Sequence, residues 1–173
     1  MNVAFVGTPE ALDELAEQDV PLRPTGPAET AYLQYTSGST SFPRGVVITQ
    51  RAVLSNLAGT VNHGLAVQAD DRCVSWLPLY HDMGLVGCML APMASQRSID
   101  YLDTRDFAMR PRRWLELMTR SRATISFSPP FGYELCVRRI RPEDIARYDL
   151  SAWRVAGIGA EPIRPDVPDR FAK

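Results

Sequence analysis

At 173 residues the chain has the length of one domain, and a chain of this order buries about 70% of its unfolded surface, so a substantial core is expected. A composition of 45% hydrophobic and 23% charged residues excludes disordered and fibrous classes. With 19 basic against 20 acidic side chains the formal net charge is −1, so no whole-chain field attracts nucleic acid or anionic lipid, and a small or neutral partner is expected.

Cys73, Cys88 and Cys136 are widely spaced and form no C-x-x-C pair, so neither a disulfide framework nor a zinc site is encoded, and reduced thiols are expected. The amino terminus lacks the basic flank of a signal peptide, and no segment approaches the ~18 uninterrupted apolar residues of a membrane helix. A cytoplasmic location without a membrane span follows as the expectation.

In chain order, residues 1–30 read as a short β-α unit and a proline-rich linker. Val3–Val6 is an apolar run, Thr8 and Pro9 open a helix through about Gln18, and Val20–Thr30 holds three prolines and a glycine. Ala31–Thr36 and Gly45–Ile48 read as two strands flanking a polar turn. Thr49 caps a following helix whose Val53, Leu54, Leu57 and Val61 share a face. Further strands are expected at Cys73–Leu77, Ile99–Leu102, Thr124–Phe127 and Arg154–Ile158. They alternate with helices near His81–Met93, Arg113–Arg120 and Tyr133–Ile140. The alternation predicts an α/β fold, a largely parallel sheet flanked by helices. The basic stretches Arg110–Arg113 and Arg138–Arg141 read as solvated helix faces, with a carrier-protein contact as the alternative.

The segment Tyr35–Gly45, YTSGSTSFPRG, is the most informative. Thr36, Ser37, Ser39, Thr40 and Ser41 supply hydroxyls, and Gly38 lets the backbone approach a ligand closely. Arg44 adds a planar, permanently charged fork suited to phosphate oxygens. The loop is suited to a triphosphate, yet it is not G-x-x-x-x-G-K-[ST], because no glycine-lysine pair follows at the required spacing. It resembles the phosphate loop of the adenylate-forming superfamily, Y/F-T-S-G-S/T-T-G-x-P-K-G. Ser41 stands where that pattern has a second glycine, and Arg44 where it has lysine. The resemblance assigns phosphate binding to Thr36, Ser37, Gly38, Ser39, Thr40 and Arg44, with Thr40 also the candidate metal ligand.

Trp76–Gly87, WLPLYHDMGLVG, resembles the L-P-x-x-H segment of the same superfamily. By that match His81 is the catalytic candidate beside the acyl carboxylate, and Met83, Gly84 and Gly87 border the acyl site. Asp82 reads as a helix N-terminal residue, with orientation of His81 as its alternative role; His63, with no motif around it, reads as a surface residue. Ser128–Ile140, SPPFGYELCVRRI, is similar to a stretch of fatty acyl-AMP ligases, which makes Phe131 and Tyr133 candidate acyl-wall residues, although core packing explains both equally well. Ile158–Ile163, IGAEPI, resembles the adenine-binding turn and nominates Gly159, Ala160, Glu161 and Pro162.

The resemblance, running from about Ala31 onward, implies a fatty acyl-AMP ligase. Its reaction takes ATP and a fatty acid to acyl-AMP and pyrophosphate with Mg2+, for lipid or polyketide synthesis, and an acyl carrier protein or polyketide synthase would accept the acyl group. A fatty acyl-CoA ligase and a noncatalytic nucleotide- or partner-binding remnant are the alternatives. Residues 31–173 are expected to form part of an AMP-binding domain whose C-terminal half and mobile C-terminal domain are absent, and the chain alone is expected to have negligible adenylation activity.

Overall fold

The computed structural model describes residue 21 and residues 23–36 and 44–173, so the β-α unit expected within residues 1–20 lies outside the described residues. β1 (Thr30–Thr36) and β2 (Arg44–Thr49) pair antiparallel, with Tyr35 opposite Gly45 and Thr36 opposite Arg44. The hairpin feeds α1 (Gln50–Gly59). Thr49, in extended conformation, ends the strand and caps this helix, its Oγ1 accepting from the Ala52 N–H at 3.2 Å. Val53 and Leu57, four apart, are buried, whereas Leu54 lies about 100° round the helix and is 60% exposed. The expected four-residue face therefore narrows. A π-helical turn, Thr60–Gly64, extends α1.

β3 (Arg72–Ser75), β4 (Ser98–Tyr101), β5 (Ile125–Ser128) and β6 (Val155–Ile158) form a four-stranded parallel sheet in the order β4-β3-β5-β6. The hairpin forms a separate two-stranded sheet. Between β3 and β4 the chain runs as a π-helical segment, Met83–Leu90, into α2 (Ala91–Ser95); the helix expected from His81 thus starts two residues later, and His81 stays in the preceding loop. After β4 come α3 (Thr104–Met109) and α4 (Arg112–Ser121). α5 (Pro130–Arg139) and α6 (Pro142–Ile145) follow β5, and α7 (Asp166–Phe171) follows β6. α5 begins at Pro130, earlier than the expected Tyr133, because proline suits a first helical turn whose N–H groups lack internal partners. The helices α3, α6 and α7, four to six residues long, are too short for hydrophobic periodicity to reveal.

The main core lies between the sheet and α4, α5 and α7. α4 turns Trp114, Leu115, Leu117 and Met118 inward and leaves Arg112, Glu116 and Arg120 outside. Trp114 is fully buried, its indole N–H donating to Ser126 Oγ at 2.9 Å, so its polar atom is satisfied. Phe107, 1% exposed, stacks on Trp76 with ring centroids 3.8 Å apart. Burying a side chain such as Phe107 contributes about 1.5–3 kcal/mol. A second cluster of Val53, Leu57 and Ala91, packed by Ile48, Val61 and Val86, joins the hairpin and α1 to the helical segment after β3.

Polar clamps fix the sheet ends. Asp71, buried before β3, accepts hydrogen bonds from the Gln68 N–H at 2.7 Å and the Thr124 hydroxyl at 2.6 Å, and pairs with Arg154. The three cysteines are free and buried, and burial pushes the thiols of Cys73 and Cys136 up to about 12, which suppresses the reactive thiolate. Within the basic stretches Arg113 pairs with Asp106, Arg138 with Glu134 and Arg141 with Asp144, the arrangement of solvated helix faces.

Candidate functional site

Strand order dictates where a site forms. The chain passes outward from β3 to β4, then returns past β3 to β5, so the connections leaving β3 and β5 diverge and open a crevice at their carboxyl ends. The loops that leave this edge carry Trp76–Asp82 after β3, Pro129 after β5 and Gly159–Pro162 after β6. Three motifs that are remote in sequence thereby meet.

A cavity of about 370 Å³ opens there, with Trp76, Pro78, His81, Phe131, Ala160 and Glu161 in its wall. A larger cavity of about 600 Å³ lies between the hairpin, α1 and the Met83–Leu90 segment, bounded by Tyr32, Ile48, Val53, Val86 and Gly87. Met83 and Ala160 belong to both walls, so the two cavities adjoin across these residues.

His81 is held by its backbone, whose N–H donates to the Pro78 carbonyl at 3.2 Å and whose carbonyl accepts from the Leu85 N–H at 2.8 Å. Its ring Nδ1 lies 2.8 Å from Asp82 Oδ1, which accepts the Met83 N–H at 2.7 Å. The Met83 N–H is shared: it donates to Asp82 Oδ1 and, at 3.3 Å, to His81 Nδ1, which as an acceptor leaves the ring proton of a neutral imidazole on Nε2. Asp82 fills the first role weighed for it, capping the helical segment, and its carboxylate lies beside the His81 ring. Gly84 lines neither cavity. A Cβ there would meet the Pro78 carbonyl oxygen at 2.1 Å, so this glycine is required by the packing of the His81 loop on its own helix.

Ala160 adopts φ 69°, a left-handed conformation costly for a residue with a Cβ, and this turns the chain beneath Met83. A Cβ on Gly159 would lie 3.9 Å from Met83 Cε, in ordinary contact. Glu161 accepts the Phe131 N–H at 3.0 Å, whereas Pro162 is exposed and outside both walls.

Tyr133 requires a correction. It is 3% exposed, packs edge-on against Trp114 and Phe171, and donates its hydroxyl to the Gly157 carbonyl at 2.8 Å. Its side chain belongs to the core; of the two nominated aromatics it is Phe131, 51% exposed and edge-on to Trp76, that lines the cavity. Ser37, Gly38, Ser39 and Thr40 lie outside the described residues. The backbone of Thr36 and the exposed Arg44 face each other where the hairpin enters that loop.

Trp76 and Thr104 were not singled out from the sequence. The Thr104 hydroxyl donates to the Trp76 carbonyl at 2.8 Å and pins the loop after β3, while the buried Trp76 indole N–H has no hydrogen-bond partner among the described residues. Trp76 opens the quoted WLPLYHDMGLVG motif, which could have drawn attention to it; Thr104 carries no local signal.

The model of the family described as AMP-binding enzyme matches residues 3–173. The chain belongs to this AMP-binding enzyme family. Similar to it is a Caulobacter vibrioides protein provisionally named an acyl-CoA synthetase, 45% identical over 163 residues, covering 94% of this chain and 28% of its own length. A medium-chain-fatty-acid–[acyl-carrier-protein] ligase, JamA of Moorena producens, is 40% identical over 141 residues, covering 82% of this chain and 24% of its own. A chain solved in studies of fatty acyl-adenylate ligases from E. coli and L. pneumophila superposes with a TM-score of 0.86 at 58% identity, covering 92% of this chain and 29% of that one. The chain thus spans between 24% and 29% of the length of these relatives. Its parallel sheet flanked by helices is the architecture expected from the sequence.

Proposed function

We propose that this AMP-binding chain supplies the substrate-activating part of a fatty acyl-AMP ligase, in which ATP and a fatty acid give acyl-AMP and pyrophosphate. The observation that carries the reading is the shared wall of Met83 and Ala160, which joins the cavity containing His81 and the Ala160–Glu161 turn to a larger one in which Ile48, Val53 and Val86 stand beside Gln34, Asn56 and Asp82. Both volumes fall within the range of ligand pockets. An acyl tail in the larger cavity would gain about 0.8 kcal/mol for each buried methylene, enough to hold a medium chain without specific polar contacts.

In this reading the carboxylate sits beside His81, whose Nε2–H donates to a carboxylate oxygen while the Met83 N–H, donating to Nδ1, holds the ring. The adenine rests on the turn formed by Gly159, Ala160 and Pro162. The hydroxyls and N–H groups of Thr36, Ser37, Gly38, Ser39 and Thr40, with Arg44, hold the phosphates. The carboxylate oxygen forms a bond to the α-phosphorus as the α–β bridging bond breaks and pyrophosphate leaves. The chain's contribution is position and charge compensation, since aligned reactants need no further covalent assistance. Magnesium would arrive with the nucleotide and neutralise phosphate charge. Among the described residues no group of three His, Cys, Asp or Glu side chains is placed to hold a metal, and the proposed ligand Thr40 lies outside them, so no step is assigned to the ion.

A carrier protein, free or within a polyketide synthase, is the acceptor in this reading, supported by the Moorena relative and the 58% identity to the solved fatty acyl-adenylate ligase; CoA, suggested by the Caulobacter relative's name, is the second. No helix of the described residues is long and apolar enough to cross a membrane, and a cytoplasmic location is part of the proposal. Calorimetric titration with dodecanoyl-sulfamoyladenosine, a stable acyl-adenylate mimic, tests the reading. Saturable binding that weakens about tenfold or more in His81→Ala is expected, and no binding by the wild-type chain would overturn it.

A further inference from the structure

The geometry points to Glu161 as a positioning residue that couples the nucleotide turn to the acyl wall, a role that rests on the functional reading above and gives its carboxylate a task other than contact with the nucleotide. α5 starts with Pro129 at its N-cap and Pro130 in its first turn, and its N-cap residue makes no side-chain hydrogen bond. Neither proline carries an N–H, so Phe131 is the first donor of the helix, and Gly132 bonds to the Pro129 carbonyl. A helix normally satisfies such a donor with a Ser, Thr, Asp or Asn at its own N-cap. Here the acceptor is Glu161 Oε1, 30 residues later in the chain, at 3.0 Å. The carboxylate is also favourably placed at the positive end of the helix dipole.

Both ends of this bond belong to the cavity of about 370 Å³. At one end Phe131 presents its ring to Trp76, with centroids 5.6 Å apart. At the other, Glu161 follows Ala160, the left-handed residue that borders both cavities. The bond holds the β6 turn against the start of α5 and so sets the separation between the surface that would carry the adenine and the aromatic that, with His81, would face the carboxylate end of the acyl group. A ligand spanning both should depend on it more than one that occupies the nucleotide side alone.

The test compares Glu161→Ala and Glu161→Gln, the latter keeping an oxygen acceptor, in titrations with dodecanoyl-sulfamoyladenosine and with AMP, alongside thermal melts. Glu161→Ala is expected to weaken the acyl-adenylate mimic about tenfold and AMP by less than threefold, with Glu161→Gln within threefold of wild type for both. Equal losses for both ligands that Glu161→Gln does not rescue would mean direct nucleotide contact and overturn the role. So would an unchanged affinity in Glu161→Ala, or a lowered melting temperature without a change in relative affinity. If wild type binds the mimic and only the Glu161 pattern fails, this inference alone is lost; if wild type does not bind, the functional reading falls and takes the inference with it.

Discussion

Arg154 reaches back 83 positions to Asp71 and binds its carboxylate through Nη2 at 2.5 Å, tying the start of β6 to the start of β3. Burial by itself would raise the Asp71 pKa, but hydrogen bonds from Arg154, Gln68 and Thr124, with the Arg154 charge, outweigh it and hold the carboxyl below its ordinary 3.8. A carboxyl depressed in the folded state stabilises above its unfolded pKa and loses that contribution as pH falls through the folded value. Asp71→Asn should cost about 1–3 kcal/mol at pH 7, because it replaces a buried charged acceptor that holds Gln68, Thr124 and Arg154. In urea melts the gap to wild type should narrow as pH drops below about 4; a gap constant from pH 7 to pH 3 would refute the assignment.

Tyr133 and Phe131 should separate stability from binding. Tyr133→Phe removes the donor to the Gly157 carbonyl and is expected to cost about 1–2 kcal/mol in chemical denaturation while leaving affinity for an acyl-adenylate mimic within twofold. Phe131→Ala, at an exposed position, should do the reverse and weaken the mimic several-fold with little loss of stability.

Gly84→Ala would push a methyl group into the Pro78 carbonyl, a backbone atom that cannot swing aside. The turn from Pro78 to His81 must then move. Expected is a loss of about 1–3 kcal/mol in stability, together with weaker binding of the mimic by at least tenfold. Unaltered binding would show that the His81 loop lies away from the ligand.

Gly87 offers the opposite case. Among the described residues nothing lies within 4 Å of a Cβ built there, and the position borders the cavity of about 600 Å³. Gly87→Leu should leave stability unchanged or raise it by up to about 1 kcal/mol through helix propensity, while filling space proposed for the acyl tail. Titration with a chain-length series of mimics should show selective loss for the longer ones.

Much of this was legible in the sequence. The strand positions followed from β-branched and aromatic runs, and their ends shifted by only one or two residues, as at Cys73–Leu77 against Arg72–Ser75. His81 and Ala160 were legible through their motifs, and the structure brings them to one cavity. Tyr133 was open to misassignment because an aromatic near a proline turn looks the same whether it faces a ligand or the core. Its spacing from Phe131 held the answer, since two residues on a helix are about 200° apart and cannot share a wall. Leu54 beside Val53 illustrates the same arithmetic at half the angle. The cap from Glu161 to Phe131 and the pinning of Trp76 by Thr104 are contacts between distant segments, for which local pattern has no language.

Val74 lies beside Ser126 in the parallel sheet, 52 positions away in the chain. Each strand that delivers a cavity loop is joined to its sheet neighbour only by a long crossover, so the wall that the loops after β3, β5 and β6 form together exists only once the sheet is assembled. Loop closure on this scale is entropically slow, which places the fold toward the unhurried end of the kinetic range. Ligand-binding capacity should therefore emerge in one step with the last pairing of β5 and β6 during refolding, and a bound adenylate would brace three strand ends at once, opposing the first motion by which the sheet comes apart.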